Sequence, residues 1–94
     1  MATALEMVTA KEALPPEDYR DQRAQYLAEL ESHAPDLERA VRRFGHMPSA
    51  RRERYGREVI KGIYAVAKAE LQLNRALTAA MKAEIAEEEA AGNA

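Results

Sequence analysis

The residues best equipped for chemistry stand together in "RRFGHMPSARRER", Arg42 to Arg54, with Arg39 just before it and Arg57 just after. A guanidinium is permanently charged and fork-shaped, so it suits bidentate contact with phosphate or carboxylate oxygens. Residues 39 to 57 hold seven arginines and one glutamate, whereas residues 1 to 38 hold nine acids and three bases, and residues 58 to 94 hold six acids and four bases. The net charge of -2 therefore conceals blocks of -6, +6 and -2. Lysine, common among the bases elsewhere, is absent from the basic block.

Part of this placement breaks a local rule. Arg39, Arg42 and Arg43 fall in the last turns of a predicted helix, where cations complement the helix dipole. Arg51, Arg52 and Arg54 fall in the first turn of the next one, where acids are favoured by a few tenths to ~1 kcal/mol each and only Glu53 offsets them. A rule broken without visible gain often marks a functional site. Three readings stay open. The seven arginines, with the N–H groups of a helix N-terminus, could form a platform for an acidic protein surface, including a second copy's acidic N-terminal region. They could contact nucleic-acid phosphates without reading sequence. Or Asp36, Glu38 and the acids of the preceding helix could neutralise them within one chain.

Other chemistry finds little footing. His33 and His46 are separated by a proline and a predicted helix and make no short-spaced ligand pair, so no metal is expected. Ser32, Ser49, Thr3, Thr9 and Thr78 have no acid–base neighbour at helical spacing. The four glycines stand singly and build no phosphate loop, and cysteine is absent, which excludes disulfides and thiolate chemistry. Glu87 to Glu89 read as a solvated helix end. No catalytic residue and no cofactor is expected.

The elements that carry the arginines are all helical. "TALE" and "TAKE" match capping-box spacing, and Pro15 and Pro16 end any helical piece they start, so residues 1–14 read as a flexible or weakly helical arm. Helix A spans 16–32, with Pro16 at its start, Glu17 and Asp18 in its first turn, and Tyr19, Tyr26, Leu27 and Leu30 along one face. Pro35 predicts a break. Helix B spans 35–44, with Leu37, Ala40, Val41 and Phe44 at i, i+3, i+4, i+7. Gly45 is the expected left-handed C-cap, and Met47 is placed for the apolar contact that closes such a cap. Ser49 is the expected N-cap of helix C, 49–90.

Helix C has a 4,3-spaced seam through Ile60, Tyr64, Ala67, Leu71, Asn74, Thr78, Met81 and Ile85, beside a second row through Val59, Val66, Leu73 and Ala80. Gly62, Ala69, Ala76 and Ala83 recur every seventh residue on the far side. A helix with large apolar residues on one face and small ones on the other fits a position between partners. At ~1.5 Å per residue it outreaches helices A and B laid end to end. Its far section, Leu73, Asn74, Leu77, Met81 and Ile85, is therefore the expected interface with another chain, with Asn74 setting register.

The expected molecule is an all-α single domain of 94 residues: a short N-terminal arm, with two short helices packed antiparallel on one long C-terminal helix. It is expected to be non-catalytic and cytoplasmic, with no basic n-region or apolar span in "MATALEMVTAKEAL" to mark a secretory signal. A homo-oligomer formed through helix C, with the arginine turn engaging an anionic partner, is the leading functional expectation. A small regulatory or inhibitor subunit that docks on a larger enzyme complex is the alternative.

Overall fold

The computed structural model describes residues 2–92, which form four helices and, among the described residues, no strand. α1 is Ala4–Ala13, α2 Pro16–Gly45, α3 Ser49–Tyr55 and α4 Arg57–Gly92. The N-terminal segment is a docked helix, not a loose arm. Thr3 caps α1 by accepting the Glu6 N–H at 3.2 Å, and Met7 and Ala10, one turn apart, are buried. Ala2 and Leu14 pack against the same core at either end of the segment.

Helices A and B are one helix. α2 runs through Pro35 without ending, although proline inside a helix costs about 3 kcal/mol, supplies no N–H and crowds the carbonyl four residues earlier. The stripe Tyr19, Arg23, Tyr26, Leu30 and Leu37 is buried on a single face. A break at Pro35 would turn Leu37 off that face, so packing on both sides of the proline overrides the local penalty. α4 supports the same turn with a hydrogen bond: Asn74 Nδ2 donates to the Leu30 carbonyl at 2.9 Å, close to where Pro35 interrupts the backbone ladder.

The turn end also departs from expectation. Gly45 is still helical, and His46 holds the C-cap position with φ of -121° and its N–H on the Arg42 carbonyl at 3.2 Å. Gly45 has a steric role instead, because a Cβ there would lie 3.1 Å from the Tyr64 ring. Met47 is buried, with no left-handed cap for it to close. Pro48 takes the N-cap position and Ser49 is already the first helical residue.

Helix C divides at Gly56, whose φ of 90° is the only positive value among the described residues. Space is not the constraint there, since an added Cβ would find Val59 Cγ2 no nearer than 3.8 Å; the backbone angle itself selects glycine. Gly56→Ala should lower the unfolding free energy by roughly 1–2 kcal/mol, read by urea titration of the helical circular dichroism signal.

α2 and α4 form an antiparallel hairpin. Its register is fixed by Arg23 on Glu88, Glu31 on Lys82, Glu38 on Arg75 and Gly45 beneath Tyr64. α1 lies along the open end of this hairpin, with Ala2 N–H on Glu29 and Lys11 on Glu84. That end has a three-helix core of Met7, Ala10, Tyr19, Tyr26, Leu30 and Met81. Towards the turn α2 and α4 close over Leu37, Ile60, Ala67 and Leu71, with the short α3 against α4 at the tip. The result is a rod of 59 × 24 × 15 Å.

Candidate interaction surfaces

The structure spreads the seven arginines over the turn half of the rod, from Arg39, beside the Glu38–Arg75 pair midway along α4, to the α3 arginines at the tip, and pairs few of them. Arg39 pairs with Asp36 one turn away, and Arg57 Nη2 lies 3.2 Å from Glu53 Oε1. Glu38 turns instead to Arg75, at 3.6 Å. Among the described residues, Arg42, Arg43, Arg51, Arg52 and Arg54 have no carboxylate oxygen within 4.0 Å. Arg43 lies over the Phe44 ring, 5.7 Å from its centroid, and the buried Nε of Arg52 has no hydrogen-bond partner among the described residues. Neutralisation by the described carboxylates thus reaches two of the seven.

The dipole argument changes with the break at Gly56. Arg52 and Arg54 lie in the last turn of a seven-residue helix, where cations are favoured, so Arg51 in α3 and Arg57 at the first position of α4 are the two left at unfavourable helix starts. The Arg51 and Arg52 N–H groups both bond the Pro48 carbonyl at 3.0 Å. Those two helix-start N–H groups are therefore already paired within the chain.

The opposite tip holds a network that sequence reading missed. Arg23, only 5% exposed, donates from Nη2 to Glu88 Oε2 at 2.7 Å and from Nη1 to Glu84 Oε2 at 3.2 Å. Tyr19 Oη donates to Glu84 at 2.9 Å and Lys11 Nζ at 2.7 Å. Three helices are joined through one carboxylate. Burial alone would raise the Glu84 carboxyl, but hydrogen bonds from Lys11, Tyr19 and Arg23 outweigh it and hold the group below the usual carboxylate range. The Arg23 hydrogen bond lowers Glu88 likewise, and burial, with the bond to Glu84, pushes the Tyr19 hydroxyl up to about 12. No short-range pattern signals this, since Arg23 and Glu84 meet only through the hairpin.

The expected interface on helix C is largely internal. Met81 is 3% exposed and Asn74 6%; α1 and α2 cover them, and Asn74 bonds α2 of its own chain instead of setting register with another. Leu77 packs against the same core and Ile85 is half-buried. Leu73 alone of the five is exposed, at 46%. Bare apolar side chains stand nearer the turn, at Tyr55, Val59, Ile63 and Val66, and on α1, at Leu5 and Val8. Gly62, Ala69, Ala76 and Ala83 lie on the side of α4 away from its buried seam.

Among the described residues no three His, Asp or Glu side chains cluster as a metal site, and no helix is long and apolar enough to cross a membrane. No family model matches the chain, and neither a curated protein nor a solved structure is significantly similar to it.

Proposed function

We propose that the chain is a non-catalytic helical interaction protein, which associates with itself through the exposed face of α4 and engages an anionic partner with its arginine tip. One contrast supports the anionic partner: Glu84 and Glu88 at the far tip are matched to bases, whereas five arginines at the turn are matched to no carboxylate among the described residues. An acidic protein surface fits better than a polyphosphate. Glu53 stands among the arginines and Asp36 and Glu58 flank them; these acids would repel a continuous phosphate backbone, while a folded partner can place its carboxylates between them. Tyr55, exposed in the same tip, adds the Tyr–Arg pairing typical of binding hot spots.

The test is fluorescence anisotropy of a glutamate-rich peptide and of duplex and single-stranded DNA, each titrated at ~50 and ~200 mM salt, a range over which phosphate-driven binding weakens steeply. The peptide should bind, and charge reversal of Arg42, Arg51 and Arg54, all exposed, should abolish that binding with the helical signal intact. Binding of DNA alone would replace the acidic protein with nucleic acid. Binding of neither, or binding unaffected by the reversals, would overturn the role given to the tip.

A further inference from the structure

α1 fills the groove between α2 and α4 along one half of the hairpin and leaves the other half vacant. Leu5, His33, Leu37, Leu73 and Leu77 line a hollow at the start of α1. Leu37, Ala40, Ile63, Val66 and Ala67 line the next one towards the turn. Both hollows include Leu37 and Glu70, so they are one trough in line with α1. Along its α4 wall, Val59, Ile63, Val66, Glu70 and Leu73 follow 4,3,4,3 spacing, the spacing at which a helix presents a continuous row of knobs to a partner's holes.

The exposed area is of the size that an interface hides. The chain presents 6827 Å², whereas a compact monomer of its 10.5 kDa would present ~5,400 Å². The excess, ~1,400 Å², exceeds the ~800 Å² per partner of a standard stable interface. Among the described residues no side chain is buried below 2% exposure, so the lone chain has a thin core as well as a surplus surface.

We infer that the occupant of the trough is the trough of a second copy, laid antiparallel, so that the two half-hairpins together make a four-helix bundle. This rests on the self-association part of the function proposed above and assigns it a face and a direction. A two-fold axis makes a face meet itself, and charge selects where that axis lies. With the copies parallel, seven arginines would oppose seven. With the axis perpendicular to the helices near Val66, Arg51, Arg52, Arg54 and Arg57 of each copy lie towards the stretch where the partner's α1 begins, and there Glu29 and Glu70 line the trough, while Arg42 and Arg43, between the Glu38–Arg75 pair and the Gly45–Tyr64 contact, lie near the axis. The start of α1 then bounds the partner's tip and limits sliding, a register device that Asn74 does not supply.

Sedimentation equilibrium of the full chain at ~5 to ~100 μM should give twice the 10.5 kDa chain mass. Val66→Asp, at a side chain 57% exposed, should halve that mass and keep the helical signal. Direction is read by oxidation of introduced cysteines, because the chain has none of its own. Val66→Cys should cross-link to itself, and Val59→Cys should cross-link to Leu73→Cys but not to itself. A wild-type mass of one chain overturns the proposal, as does a Val66→Asp variant that stays paired. Self-linking of Val59→Cys overturns the antiparallel direction. None of these readings uses the acidic peptide, so they score the shared face apart from the anionic partner, while the antiparallel direction draws on the same arginines.

Discussion

Met81→Ala is expected to lower the unfolding free energy by about 3 kcal/mol, near the middle of the range for truncating a buried methionine. Met81 is the residue at which all three helices of the covered end meet, with Met7 and Ala10 on one side and Tyr26 and Leu30 on the other. Truncation there leaves a void that three helices would have to close together, and each is held by other contacts. A domain of this length commonly has about 5–15 kcal/mol in total, so the loss is a large share. Urea unfolding at fixed protein concentration measures it, with Val66→Ala, at an exposed position, as the control that should change little in monomer conditions. An effect under about 1 kcal/mol would show that the covered end is not the stable core of the chain.

The second large effect is at Arg23. Arg23→Ala should cost about 2 kcal/mol, less than the loss of a wholly buried pair, because Glu84 and Glu88 retain some solvent. The pH dependence identifies the cause. Both carboxyls lie lower in the folded chain than their ordinary values, so their contribution is fully present above the usual glutamate range, near pH ~4.3, and is lost as pH falls through the folded values. Tyr19 has the opposite form of shift: its raised value, about 12, favours the neutral hydroxyl in the fold, so that contribution is lost as pH rises from ~10 towards 12. Denaturation profiles from pH ~7 down to ~3 should therefore slope steeply for the wild type and more gently for Arg23→Ala and Glu84→Gln. Equal slopes in all three would mean that the network does not link folding to protons.

Much of the helical layout is written in local residues. Pro16 with Glu17 and Asp18 starts α2, and Tyr19, Tyr26 and Leu30 declare its inner face. Ile60, Ala67, Leu71 and Met81 do the same for α4, at the positions the seam predicts. What local reading lacks is the strength of distant contacts. Pro35 carries a strong stop signal, yet Leu30 and Leu37 on either side are held against α4 and keep the helix going. Gly56 shows the reverse: it stands alone among good helix formers, its cost in a helix is only about 1 kcal/mol, and the sequence does not say that its φ turns positive.

The interface is harder to place from sequence than the fold. The seam of helix C and the row beside it are both apolar, and only the position of α1 decides which stretch is covered. Met7 and Ala10 are the available signal, one turn apart in a segment that otherwise resembles a loose end. Once α1 lies over Leu77 and Met81, the bare stretch moves to Val59, Ile63 and Val66. The arginine cluster is legible by count, but its scarcity of carboxylate partners is not, since helical spacing offers Glu38 to Arg42 and the fold gives it to Arg75.

The half-length of α1 also grades the molecule along its axis. Cooperative opening units follow the density of buried contact, so the end with three helices and the Arg23 network is the slow, late-melting part, and the two-helix end beyond Pro35 is a separable, faster one. The arginines and the open trough both belong to the faster part. A partner of the proposed kind would act as a clamp on the weaker half, and its affinity would be reduced by the work of ordering that half, with the far tip as ballast.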